Sequence, residues 1–550
     1  MGLKPYEIII IGSGATGGVA ALTLAKAGVK VLIIEAGPQL TKKQVFRSEF
    51  ENYIERFSGI ANGRYRNQAQ HPGFWKNNPN LYVNEKENLY KNSINKPFLW
   101  TQGRQLGGRS LSWGGITLRL SDYDLKASEF DGYGPKWPIE YSDLEPHYSN
   151  LEKLLRVFGN KDNLSQLPNG DCVGILPFTK SEEYFADRIK SQLNYPVIHS
   201  RGFEPYEKNN DCEWPRFSSL GLTLKIAIAT GNVQILDNHI AEKFIMHPYK
   251  DKAKGVIAID KKNNSRKFFE CKSIILCTST IQSLKFLLSS ESAYEENGFK
   301  DISNSLGTKV MDHVSTCRFF SLSKDLIIKN NEENKSKKLS GAGSFFIPFG
   351  NKPGIYGNVN FKRGYGIWGA IDRFEPPDIL KRDQTSKIGF LIGHGEVLAD
   401  KKNKVTLTNE VDRWGINIPK IDFQWRDNEL KMVKHMNQTI KDIIISSGGE
   451  VVSPDRLLCL PFLKNITDKA FATRSSAAPP GYYIHEVGGA PMGEDKENSV
   501  VNKWNQLWNC KNVLVVDGSC WPTSSWQSPT LTMMAICRRA CINLIEHSEG

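Results

Sequence analysis

Three glycines, Gly12, Gly14 and Gly17, and one carboxylate, Glu35, are spaced for holding a dinucleotide. A tight strand-to-helix turn needs a glycine at 12, a pyrophosphate reaches backbone amides only where no side chain stands, at 14, and close packing of helix on strand needs 17. Glu35 follows Gly14 by 21 residues, where a carboxylate accepts hydrogen bonds from a ribose. These four residues require a βαβ unit to position them, and the flanking sequence supplies it. Ile8 to Ile11 reads as a strand buried on both faces. A helix carrying Val19, Leu22 and Leu24 among alanines follows, broken at Gly28, and Val31 to Ile34 is a second apolar strand that ends at Glu35. Residues 7 to 35, EIIIIGSGATGGVAALTLAKAGVKVLIIE, therefore predict a complete nucleotide-binding unit.

The 550-residue chain, 40% hydrophobic, has room for more than one domain with sizeable cores. A net charge of +12 raises the question of nucleic acid, but the lysines are scattered. The one dense run, Lys329 to Lys338, contains two glutamates, and there is no basic helix or aromatic-interleaved patch, so no nucleic-acid partner is expected. None of the ten cysteines forms a CxxC pair. The closest couples, Cys271 with Cys277 and Cys537 with Cys541, lack metal-site spacing, and unpaired thiols point to a reducing compartment. The amino terminus runs almost directly into the first strand, which predicts no secretory leader, and no apolar run is long enough to span a bilayer. A cytoplasmic location is the expectation, with export beside a carrier subunit left open.

Beyond Glu35 the pattern turns irregular from about Gln39 to Pro97, a long excursion expected to contain a lid or subunit contact. A glycine-rich stretch, GRQLGGRSLSWGG, occupies Gly103 to Gly115. Trp137 to Val157 predicts a helix capped by Ser142 and Asp143, with Leu144, Tyr148, Leu151, Leu154 and Leu155 on its buried face. Residues 232–246 and 254–260 predict successive strands of a small sheet. Ser273 to Cys277 predicts a buried strand leading to a helix at Ile281 to Leu288. From Phe319 to Pro480, alternating segments such as Gly389 to Leu398 and Lys404 to Leu407 predict a mainly antiparallel sheet on the substrate side. The strand Val513 to Val516, then Asp517 and a helix beginning near Pro529, return to the nucleotide-binding style. The expected fold class is α/β. A discontinuous Rossmann-like domain comprises 1–45, 98–125, 215–310 and 485–550, with an excursion at 46–97. An inserted α+β substrate domain comprises 126–214 and 311–484.

Four separated stretches together resemble the glucose-methanol-choline oxidoreductases, flavoproteins that oxidise alcohols with FAD. They are the N-terminal unit, Gly103 to Gly115, the WPIEYSDLEPHY segment, and the run from HEVGGAPMG to DGSCWPTSSWQSPTLTMM, so the resemblance spans nearly the full length. The tryptophan-proline segment is most similar to bacterial sugar and polyol dehydrogenases and pyranose-oxidase-like enzymes. The resemblance implies FAD held by Gly12, Gly14, Thr16, Gly17, Glu35 and Ala36, and by Gly107, Gly108, Arg109, Ser110, Trp113 and Gly114 of the glycine-rich loop. Ala241 is implied beside the adenine, Asp517 and Gly518 beside the ribityl and pyrophosphate portion. Pro529 and Thr530 are implied at a helix N-terminus aimed at the flavin. Ser112 stands where pyranose oxidases carry a histidine bonded covalently to flavin, and Trp113 stands in the asparagine position of the glucose-oxidase type, so non-covalent FAD is expected. Residues 277–280, CTST, replace a glycine-containing turn of the family.

His485 occupies the position of the family's active-site histidine. Hydride leaves an alcohol carbon readily only while the hydroxyl proton is being removed, and imidazole has the pKa for that task. The family's companion histidine or asparagine maps to Ser528, with Gln527 beside it. The resemblance thus implies oxidation of a secondary hydroxyl of a sugar, glycoside or polyol. His485 takes the proton, hydride passes to flavin N5, and Ser528 holds the oxygen. Oxygen, a quinone or a cytochrome accepts the electrons, and no metal is implied. The alternatives are a non-redox or photochemical flavoprotein of the same fold, a lyase or decarboxylase, and a flavin-binding protein with decayed catalysis.

Overall fold

The computed structural model describes residues 6–205, 213–248, 250–292, 301–323, 338–350, 359–373, 386–453 and 477–547. Strands β1 (Tyr6–Ile11) and β2 (Val31–Ile34) pair in parallel as expected, Ile8 opposite Val31. The sheet extends beyond them in both directions, in the order β18 (Gln506–Leu507), β19 (Cys510–Val515), β8 (Arg266–Leu276), β1, β2, β5 (Val233–Leu236). The four pairings from β19 to β5 are parallel, and their central residues, Ile9, Ile10, Leu32, Ile33, Ile274 and Val513 among them, are at most 1% exposed. Burial on both faces explains the unbroken apolar runs. Helices Ala15–Lys26 and Thr530–Glu546 pack on each other over this sheet. Close approach sets the glycines: a Cβ on Gly17 would lie 2.0 Å from the Gly12 carbonyl oxygen, and Gly12, at φ +93°, has the Cys277 carbonyl 2.5 Å from where its own Cβ would stand.

Segment 232–260 divides between two roles. β5 joins the main sheet beside β2, whereas β6 (His239–His247) and β7 (Lys250–Asp260) form an antiparallel hairpin on the long strand β8. A second sheet of six strands is antiparallel throughout. Its order is β16 (Glu450–Val452), β10 (His313–Ser323), β13 (Ser386–Glu396), β12 (Tyr365–Ile371), β11 (Phe345–Gly350), β4 (Ile198–His199). Helix Asp427–Ser446 covers it with Met432, Met436, Ile440 and Ile443. A third sheet runs β17 (Val487–Gly489), β9 (Thr308–Met311), β14 (Lys404–Val411), β15 (Asn417–Asp422), β3 (Lys91–Asn92). The architecture is the expected one, a Rossmann-like α/β domain assembled from both ends and the middle of the chain, with an inserted part on a mainly antiparallel sheet.

Two local expectations change. Helix Tyr141–Leu155 starts two residues earlier than a Ser142 cap requires: Glu140 is the N-cap, and Asp143 accepts from the Glu140 amide at 2.9 Å. Within the excursion, Glu49–Ala61 is a 13-residue helix whose Ser48 and Glu51 form a reciprocal capping box. The charged run up to Lys337 lies outside the described residues. Among those described, no helix is long and apolar enough to cross a membrane.

Candidate active site

A cavity of about 350 Å³ opens where β1, β2 and β8 end, the crevice in which doubly wound sheets bind ligands. Its walls include Gly12, Gly14, Thr16, Glu35, Ala36, Gly108, Arg109, Ser110, Trp113 and Gly114. Ala241, Asp517, Pro529, Thr530 and His485 line it too, so residues far apart in sequence meet at one site. Gly17, Gly107, Gly518 and Ser528 do not line it. Gly17 serves the helix contact with Gly12, Gly107 donates to Ser13 Oγ at 2.9 Å, and Gly518 sits under Thr280 and Glu486. Ser528 is 6% exposed, and its neighbour Pro529 lines the cavity in its place.

One part of the cavity wall could hold a diphosphate. Gly14, the N-cap of helix Ala15–Lys26, provides no side-chain cap, and a Cβ placed on it would meet nothing within 4 Å. The first-turn amides thus face open space with the positive end of the helix behind them. Glu35 braces this loop: Oε2 accepts from Ser13 N at 3.1 Å and Ser13 Oγ at 2.6 Å, and Oε1 accepts from Gly37 N at 2.9 Å. A carboxylate has capacity for about four hydrogen bonds, so Glu35 retains room for a further donor. Burial raises its carboxyl pKa against the lowering pull of these bonds and of Arg104. Asp517 is engaged similarly, accepting from Ser519 N at 3.0 Å and from the hydroxyls of Ser519 and Ser283.

Two cations in this wall were absent from the sequence reading. Arg104 donates to Asn88 Oδ1 at 2.7 Å, and Lys285 pairs with Asp412 at 3.1 Å, where burial pushes its ammonium down to about 8. Arg104 was legible as a cation inside the glycine-rich loop. Lys285 sits in a helix among apolar residues, with no signal separating it from a surface lysine.

At the other end stands His485. Its ring Nδ1 lies 2.9 Å from His313 Nδ1, with the rings edge-on at 81°. The His313 ring also donates to the Ser525 carbonyl. A neutral imidazole with one N–H thus committed accepts at its other nitrogen, so His485 donates from Nδ1 and keeps its Nε2 lone pair. Burial pushes His313 down to about 4, and burial followed by the charges of His313 and His394 holds His485 well below the ordinary imidazole range. The backbone is fixed as firmly: Asp312 accepts from the amides of His485 and Gly481, both at 2.9 Å. Ile484, a β-branched residue at φ +63°, carries strain at the residue before the histidine. Beside it Glu486 pairs with Arg109 at 3.3 Å and leaves Oε1 buried without a partner among the described residues.

Tyr483, another wall residue, bonds His394 Nδ1 through its hydroxyl at 2.9 Å. Gln527 is turned away, donating to Asp124 at 2.7 Å. Trp113 packs against Phe203 and Phe217 with ring centroids at 5.7 and 6.4 Å. The sequence reading missed His313, His394 and Tyr483. They reach the site from β10, β13 and the loop before β17, and strand register alone brings them together. The Asp312–His313 doublet at a strand junction was the one available signal.

Two family models, both described as GMC oxidoreductase, match residues 6–315 and 399–537. The fructose dehydrogenase large subunit of Gluconobacter japonicus is 22% identical, covering 97% of this chain and 96% of its own length. A 2-methyl-1,2-propanediol dehydrogenase of Mycolicibacterium austroafricanum is 24% identical over 97% of this chain and 94% of its own. Among solved structures, a formate oxidase of Aspergillus oryzae studied for modification of its FAD superposes with a TM-score of 0.64. It is 14% identical and covers 100% of both chains.

Proposed function

The chain belongs to the GMC oxidoreductase family, and on that premise we propose that it binds FAD non-covalently and oxidises a CH–OH group of a sugar, glycoside or polyol, with His485 as the base. The observation that carries this reading is the His485 ring held by His313 on one nitrogen and free on the other, in the wall of a cavity whose far end is a dinucleotide cradle. The residues present suit FAD. Gly14 leaves the pyrophosphate its space, the uncapped helix offers amides, Arg104 and Lys285 offer positive charge, and Glu35 keeps lone pairs for a ribose. When bound, FAD supplies the two-electron acceptor for the hydrogen that leaves carbon.

The protein's own part is to hold the alcohol and take its hydroxyl proton at His485 Nε2. Burial keeps that nitrogen unprotonated at neutral pH, so no proton has to be shed before catalysis. Asp312 and the strained turn at Ile484 keep the ring from swinging away, which supports orientation as much as basicity. The amino end of helix Thr530–Glu546, with no side-chain cap at Pro529, adds partial positive charge where negative charge develops. Names of the relatives, a fructose and a diol dehydrogenase, support a polyhydroxylated substrate. The word subunit in the first of them supports a partner chain on the route to oxygen, quinone or cytochrome.

The test is anaerobic mixing of the purified yellow protein with D-fructose, D-glucose, glycerol, 1,2-propanediol and benzyl alcohol while the visible flavin band is followed. Bleaching by at least one, lost on His485→Ala with FAD still bound, is the expected result. An oxidised spectrum that none of them changes, or equal bleaching in His485→Ala, overturns the reading.

A further inference from the structure

As an alcohol gives its proton to His485 and its carbon-bound hydrogen leaves as hydride, the oxygen carries alkoxide charge that must be met by a second donor. Ser528 does not line the cavity, and the Gln527 amide nitrogen is committed to Asp124. Tyr483 does line it, is only half-buried, and packs its ring 4.8 Å from that of His485. His394 is fully buried on β13, lies parallel to the phenol with ring centroids 4.8 Å apart, and holds the Tyr483 oxygen through Nδ1 at 2.9 Å. The Ile392 and Trp526 carbonyls also act on this ring, and the side chain it bonds among the described residues is the tyrosine.

Resting on the oxidation reading above, we propose that Tyr483, positioned by His394, is the catalytic residue that holds the substrate oxygen beside His485, in the role expected of Ser528. His394 donates from Nδ1 to the phenol oxygen, which frees the Tyr483 O–H to donate to the alcohol. The substrate O–H bond breaks and its proton passes to His485 Nε2. The oxygen electron pair forms the carbonyl, and the C–H pair leaves as hydride to the oxidised cofactor. The Tyr483 proton is not transferred. Burial raises the Tyr483 phenol above its ordinary range and holds His394 neutral, so the donor stays a donor at every pH the protein works at. Tyr483 also bridges the two rings flanking His485, since His313 lies 5.5 Å from it and 5.6 Å from His394.

The experiment follows flavin bleaching of the FAD-bound enzyme by whichever alcohol of the panel reduces it fastest, in wild type, Tyr483→Phe, Ser528→Ala, His485→Ala, His394→Ala and His394→Asn. Tyr483→Phe is expected to lower the limiting rate about 100-fold, the usual cost of one oxyanion donor, while the half-saturating concentration changes far less. Ser528→Ala is expected to stay within about threefold of wild type, the range of a side chain that touches no reacting atom. His394→Ala falls toward Tyr483→Phe, and His394→Asn, which restores an N–H near Nδ1, recovers part of the loss. A purely structural His394 would show no such recovery. Wild-type rates in Tyr483→Phe, or a loss confined to Ser528→Ala, overturn this assignment and leave the oxidation reading standing. A wild-type enzyme that no alcohol reduces overturns both.

Discussion

Adding a single methyl group at either of two positions in the first turn separates folding from cofactor capture. At Gly14 the added Cβ meets nothing within 4 Å and the backbone, φ −67° and ψ −156°, suits any residue, so Gly14→Ala costs the empty protein nothing in contacts. The same methyl stands where a pyrophosphate must approach the amides of Ala15 and Thr16. Displacing the phosphate from two charge-assisted bonds, at about 1.5–3 kcal/mol each, weakens binding by about 3–6 kcal/mol, or about 10²–10⁴ in Kd. At Gly17 the methyl lies 2.0 Å from the Gly12 carbonyl, a backbone atom with nowhere to go, and helix must part from strand. Overpacking of that kind costs about 1–3 kcal/mol or more in the folded chain itself. Thermal melts of the FAD-free proteins, together with titration by FAD, read the two terms. Gly14→Ala should melt with wild type and bind FAD at least about a hundredfold more weakly, and Gly17→Ala should melt early. If Gly14→Ala binds FAD like wild type, or destabilises the empty protein as much as Gly17→Ala does, the cradle is misassigned.

Acid should weaken the FAD-free protein. His71 and His313, pushed down to about 4, stay neutral while the unfolded chain takes up two protons below pH 6.5, and Asp312, raised to about 7, and Glu396, raised to about 8, oppose them with two. His394 and His485, both held well below the ordinary imidazole range, then decide the sign, a loss of about 1.4 kcal/mol per pH unit for each proton by which the unfolded chain leads, and a flat series of urea midpoints would contradict it. Acid precipitation of the yellow protein should leave its colour in the supernatant, because Ser112 stands where a flavin-bonded histidine would be, and a coloured pellet would overturn non-covalent binding. Glu182→Gln should destabilise by about 3–5 kcal/mol, since it halves a salt bridge whose Arg373 partner, like Glu182, is completely buried. A melt unchanged by that substitution would rule the estimate out.

The first βαβ unit was readable because its evidence is local: the apolar runs, the glycines and Glu35 all lie within 29 consecutive residues, and each has one physical purpose. The capping box at Ser48 and Glu51 was equally local, yet it was passed over in a segment whose composition looked irregular. The surroundings of His485 were not readable, because they depend on register. His313 is placed opposite Glu396, and His394 opposite Ser315, by an eleven-residue antiparallel pairing that no short window contains. Ser528 illustrates the converse: position in a motif located the neighbourhood, while the residue itself does not line the cavity. Lys285 is legible only once Asp412, 127 residues away, is folded against it.

β19 lies directly against β8, and β8 against β1. The strand nearest the carboxyl end therefore completes a layer begun at the amino end, and a ribosome releases it only after more than five hundred residues have been made. Until then the backbone of Ile274 to Leu276 has no neighbour on one side, a template for intermolecular pairing. A nascent chain cannot retain its cofactor early, and a premature stop near residue 500 should yield an insoluble, colourless product rather than a weakened enzyme. Closure of the sheet thus waits on the strand at Cys510–Val515, even though the cradle it completes is encoded around residues 6–35.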